Sequence, residues 1–146
     1  MTRRAALLEV SSRMQDFKKL RVWHLARSLT LAVIDALPEK SGRKVPGLRN
    51  QAIRAATSVE SNIAEGCGRG ERNEFLHFVE IGLASLNELE EQLRLARETR
   101  ILDEPVHSRQ QDTIDLLRRM LVSLMRALQR QIAEDESRRR DDKRTA

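Results

Sequence analysis

Apolar residues recur along this chain at alternating intervals of four and three, the spacing that lines one face of an α-helix. Between residues 75 and 96, Phe75, Val79, Gly82, Leu86, Leu89, Leu93 and Ala96 form an unbroken seam, widened by Leu76, Phe78 and Leu83 into the stripe of a bundle helix. Ile114, Leu117, Leu121, Leu124 and Leu128 repeat the spacing, and so do Val22, Leu25, Leu29, Ala32 and Ala36, flanked by Ala26, Val33 and Leu37. A shorter, alanine-rich seam runs through Ala52, Ala56, Val59 and Ile63.

Helix-breaking residues fall between the seams. Pro38 to Gly47 holds two prolines and two glycines, Gly66, Gly68 and Gly70 follow the second seam, and Asp103-Glu104-Pro105 follows the third. Ser108 with Gln111 has the spacing of a capping box opening the last helix, and Asp112 and Asp115 suit the positive end of its dipole. No run alternates with the period of a strand. The pattern predicts an all-α fold, an antiparallel up-down-up-down four-helix bundle with helices at about 18–37, 47–66, 71–101 and 107–135. The bundle domain is expected over 16–136, between a disordered extension 1–15 and a disordered basic tail 137–146. Met14, just before the first helix, offers a second translation start.

A chain of 146 residues fits one domain with a core of its own. The single cysteine, Cys67, expected in an exposed glycine-rich turn, cannot form an internal bridge, which suits a reducing, cytoplasmic setting. No stretch reaches the roughly 20 apolar residues of a membrane helix, so no membrane partner is expected.

Charge adds polarity to this picture. Net charge is +5, but residues 17–47 hold seven Lys/Arg against two acids, residues 71–104 four against nine, and residues 137–146 five against two. Such polarity suits complementary packing between copies, or a polyanionic partner.

Candidate chemistry is sparse. Glu74/His77 and Glu104/His107 have the E-x-x-H spacing of carboxylate-bridged di-metal sites in bundles. Such a site also needs a carboxylate from each remaining helix, and the first helix offers only Asp35 and Glu39 at its end, so no metal or other cofactor is expected. The turn around Arg69 resembles an anion-binding helix entrance but lacks the Lys-Ser/Thr of a phosphate loop. No nucleophile stands beside a histidine in a recognisable motif, so no enzyme is expected. What remains is cationic: Lys18, Lys19, Arg21 and Arg27 at the first helix, Arg43, Lys44 and Arg49 around the first connection, Arg69 at the second, and Arg119, Arg126 and Arg130 along the last helix. These suit contacts to RNA or DNA phosphates without sequence selectivity. With only Phe17, Trp23, Phe75 and Phe78 as aromatics, a base-stacking platform is not expected.

One segment is more specific. Gln51-Ala52-Ile53-Arg54-Ala55-Ala56-Thr57-Ser58-Val59, followed by Ser61-Asn62-Ile63-Ala64-Glu65-Gly66, resembles the signature of the bacterial "four helix bundle protein" family. Asp16 to Trp23, Arg69, Glu74-Phe75, Phe78 and Ala84-Ser85-Leu86-Asn87-Glu88-Leu89 extend the match over about residues 16–102, with Ala84 where the family has glycine. That family includes proteins encoded in intervening sequences of large-subunit ribosomal RNA genes, and the accessory variability determinant of diversity-generating retroelements. The resemblance implies a homopentamer with a basic surface and, for the retroelement branch, binding to a reverse transcriptase and to nucleic acid. Read from the residues alone, Asn62, Ile63, Ala64, Glu65 and Gly66 are structural: the Asn62 amide borders the core, and Glu65 has either a neighbouring helix or Arg69 within reach.

Overall fold

Each seam becomes a helix: α1 (Arg21–Ala36), α2 (Leu48–Arg69), α3 (Arg72–Glu98) and α4 (Glu104–Thr145). The computed structural model describes residues 16–146. The expected extension 1–15 and the alternative start at Met14 lie outside the described residues. Short 3-10 turns at Phe17–Lys19 and Glu39–Arg43 precede and follow α1, and the described residues form no strand. Each helix packs on the next and α4 returns to α1, which is the up-down-up-down bundle that the spacing predicts.

Side-chain links set the antiparallel register. Arg27 of α1 pairs with Glu60 of α2, Ser58 of α2 with Ser85 of α3, and Glu90 and Arg72 of α3 with Arg118 and Asp135 of α4. Val33, Ile63, Leu86, Leu89, Ile114, Leu117, Leu121 and Leu128 are wholly enclosed between the helices.

The helix boundaries depart from the sequence reading in four places. The chain at 18–20 does not join α1. Asp16 accepts a hydrogen bond from the Lys18 amide at 3.1 Å and turns the segment aside, so α1 is the shortest helix at 16 residues. Its buried line is Val22, Ala26, Leu29, Val33 and Leu37, while Ala32 of the predicted seam is exposed. Second, α2 continues through Gly66 and Gly68 and ends only at Gly70, whose φ of 77° is the left-handed conformation that stops helices. Cys67 is therefore buried on a helix, not exposed in a turn. Third, α4 starts at Asp103 with Pro105 in its first turn, where a missing N–H costs nothing. Ser108 is no cap, and Gln111 instead donates to Glu90 at 2.7 Å and Asp115 at 3.0 Å. Fourth, α4 runs to Thr145, so the end predicted near 135 and the disordered tail 137–146 give way to continuous helix. Residues 137–145 contain no glycine or proline to stop the helix.

At Gly66, α2 and α3 leave no room for a side chain. A Cβ there would meet the Phe75 ring at 2.7 Å and the Phe78 Cβ at 2.9 Å. At Gly68 a Cβ would meet nothing. Gly66→Ala is thus expected to destabilise the protein by about 1–3 kcal/mol through overpacking. Gly68→Ala is expected to stabilise it by roughly 0.5–1 kcal/mol through lost unfolded-state freedom. Chemical denaturation of the two variants checks both signs.

Candidate nucleic-acid interface

The structure sorts the cations predicted from sequence into committed and uncommitted groups. Arg27 lies 2.8 Å from the carboxylate of buried Glu60 and stacks over the Trp23 ring at 5.2 Å. The contact is close without the alignment of a hydrogen bond. Arg49 is half-buried and donates at 2.9 Å to the Leu37 carbonyl, satisfying the open end of α1. Arg69 donates to Glu65 at 2.8 Å and covers the Phe78 ring at 5.4 Å. These three side chains hold helices together or fix helix ends, contacts within the bundle that the other predicted cations do not make among the described residues.

Lys18, Lys19, Arg21, Arg43, Lys44, Arg119, Arg126 and Arg130 are exposed. Lys18, Lys19 and Arg21 share one end of the bundle with the end of α2 and the start of α3, as the antiparallel pairs require. Arg43 and Lys44 sit at the opposite end, so the predicted cations do not form one patch. Arg119, Arg126 and Arg130 lie along the outer face of α4.

Around these positions the sequence reading missed several interactions. Phe17 packs edge-on against Trp23 at 4.9 Å, and His24 Nε2 lies 2.5 Å from the Lys18 carbonyl, so the opening segment is tied to α1. Glu60, four residues past the seam residue Ala56, and Trp23, four before Arg27, are the sequence signals of the pair between half-exposed Arg27 and buried Glu60. Asn62 is half-buried and its partners lie within α2: it donates to the Ser58 carbonyl at 2.7 Å and to Ser58 Oγ at 3.1 Å, and that hydroxyl meets Ser85 Oγ at 2.7 Å. Glu65 takes the Arg69 alternative. Ile63 is buried, Ala64 half-buried, and Gly66 carries the α2–α3 contact.

Two other constellations come apart. Glu74 and His77 are exposed near the start of α3, whereas Glu104 and His107 open α4, beside the end of α3 where Arg97 approaches Glu104 at 3.7 Å. About 23 residues of helix, or roughly 35 Å, separate the two motifs, so they cannot share a metal. At the entrance to α3 stand Glu71 and Glu74, whose charge opposes an anion there.

His107 is buried, and neither its Nε2 nor the Oε1 of its neighbour Gln110 has a hydrogen-bond partner. Burial holds its pKa below the usual 6.5, with Arg97 and Arg94 adding to the shift and Glu104 and Glu90 opposing it. At pH above 6.5 the imidazole is neutral folded or unfolded. Below that, the unfolded chain takes up the proton first, so folded-state stability falls as pH drops from about 6.5 toward the folded pKa. His107→Leu is expected to flatten this slope below about pH 6.5, which denaturation across pH measures.

Residues 18–123 match the family model described as "23S rRNA-intervening sequence protein". No curated protein matches the chain.

Proposed function

The chain belongs to the 23S rRNA-intervening sequence protein family, and from that premise we propose that it is a non-enzymatic, oligomeric nucleic-acid-binding accessory protein. The observation that carries this reading is the uncommitted cationic surface. Lys18, Lys19, Arg21, Arg119, Arg126 and Arg130 are exposed, and none has an ion-pair partner among the described residues. Such side chains engage phosphates and release counterions, and they carry no base selectivity. RNA is the first ligand to test, because the family description names a ribosomal RNA.

Self-association rests on apolar exposure and charge polarity. Leu31 and Ile34, one turn apart on α1, are 56% and 37% exposed. The basic α1 region and the acidic α3 are mutually complementary across copies. The resemblance supplies the homopentamer as the expected assembly and, in its retroelement branch, a reverse transcriptase as partner. The family match favours the intervening-sequence branch, in which the bundle acts as an interaction or structural module.

Two measurements test the proposal. Labelled RNA and DNA oligonucleotides should bind at low salt, with affinity falling steeply toward physiological salt; no binding at low salt would sink the nucleic-acid reading. Native mass spectrometry should give an oligomer that Leu31→Asp combined with Ile34→Asp converts to monomer. A monomeric wild type at micromolar concentration counts against assembly.

A further inference from the structure

The register of α3 on α4 ends at the Arg72–Asp135 ion pair. Helix α4 nevertheless continues to Thr145, every residue from Glu136 onward being exposed. Ten further residues at 1.5 Å each make a helical arm of about 15 Å beyond that pair. It leaves the bundle at the end that also carries Lys18, Lys19 and Arg21.

The arm carries five cations, Arg138, Arg139, Arg140, Lys143 and Arg144, against three acids, Glu136, Asp141 and Asp142. Asp142 stands one heptad after Asp135 and so continues the side of α4 on which Asp135 meets Arg72, while Asp141 borders Arg144 three residues on. Arg140 and Arg144 stand two heptads after Arg126 and Arg130, so they continue the outer cationic line of α4. Arg139 and Lys143 lie beside them, since positions i, i+1, i+4 and i+5 share a helix face, and Glu136 stands within the same face, four residues before Arg140. No member of this face has an ion-pair partner among the described residues. From Arg126 to Arg144 the line runs 18 residues, or roughly 27 Å.

We propose that the α4 arm is a docking surface for the phosphate backbone of a nucleic acid, with Arg139, Arg140, Lys143 and Arg144 as its contacts and Arg126 and Arg130 extending it along the bundle. This rests on the nucleic-acid reading above and assigns the surface that performs it. The chemistry of the face selects the partner. It presents four cations against one acid, Glu136, and no apolar side chain, whereas protein interfaces form around an apolar core depleted in charged residues. A phosphate backbone needs only repeated cations at helical spacing. A helix of 10–12 Å diameter also fits the roughly 12 Å major groove of B-form DNA, while the major groove of A-form RNA is too narrow for it. Contact with RNA therefore runs along single strands or the outside of a duplex.

The test compares the full-length chain with its Arg139→Gln/Arg140→Gln/Lys143→Gln/Arg144→Gln variant on three labelled 20-mers: single-stranded RNA, duplex RNA and duplex DNA. All four positions are exposed, and circular dichroism with thermal melting verifies an intact bundle. Loss of four contacts should lower the slope of log affinity against log salt by about 3 and weaken binding at 0.1 M salt by roughly 100-fold or more. Lys18→Gln/Lys19→Gln/Arg21→Gln is the comparison set and should lower the slope less. A wild type that binds none of the probes at low salt overturns the nucleic-acid reading as a whole. Wild-type binding with an unchanged slope in the arm variant overturns the arm alone. An unchanged affinity accompanied by a changed native mass makes the arm a contact between copies, which also overturns it.

Discussion

Helix α2 can lie against α3 only where its side chains are small. Gly66 leaves no room for a methyl group between the Phe75 ring and the Phe78 Cβ, and Ala52, Ala55 and Ala56 are all buried farther along. Close approach brings the hydroxyls of Ser58 and Ser85 to 2.7 Å, and the Asn62 amide bonds the Ser58 carbonyl and hydroxyl. The polar groups at this interface are thus satisfied by one another, which a wider spacing would not allow. Across the same interface, Gly82 of α3 faces the Val59 carbonyl and the Asn62 Cβ, where a methyl group would make ordinary van der Waals contact at 3.8 and 3.9 Å. The family signature, read this way, is a packing instruction: glycine for approach, asparagine to hold the hydroxyls, isoleucine to fill the core.

Periodicity made the helices legible because a bundle helix must bury one face, and burial is worth about 1.5–3 kcal/mol for each large apolar side chain. What periodicity does not encode is where a helix stops. Asp16 diverts residues 17–19 into a 3-10 turn through one side-chain bond, and Gly66 and Gly68 remain helical because tertiary contact outweighs a helix propensity deficit of about 1 kcal/mol each. The last helix was cut short for the opposite reason. Residues 137–145 have no apolar face to bury, yet they contain no glycine or proline and follow an already formed helix.

The surface was legible only as composition. Eleven cations could be named from sequence, but a guanidinium on a helix serves either a ligand or a neighbouring helix, and the distinction depends on what stands opposite. Glu60 decides it for Arg27, the Leu37 carbonyl for Arg49 and Glu65 for Arg69. A carboxylate as buried as Glu60 requires a cation, and leaving it alone is strongly destabilising. Arg27 is therefore engaged by the needs of the core although its side chain stays half-exposed, and Arg119, Arg126 and Arg130 on α4 are left unpaired among the described residues.

That placement of unpaired cations bears on how α4 operates. An isolated helix of these ten residues, eight of them charged, would be marginal in water, because nucleation is unfavourable and helices shorter than about 12–15 residues rarely persist. Here the nucleus already exists in the bundled length of α4, held by Ile114, Leu117, Leu121 and Leu128, and each further residue adds only a propagation step. Basic residues in the final turn, Lys143 and Arg144, suit the negative end of the dipole. The buried core thereby orders cations that it does not contact, and their spacing follows from helix geometry. A loosened bundle would free the same charges into a coil, keeping their number but losing the alignment that makes Arg126, Arg130, Arg140 and Arg144 one line.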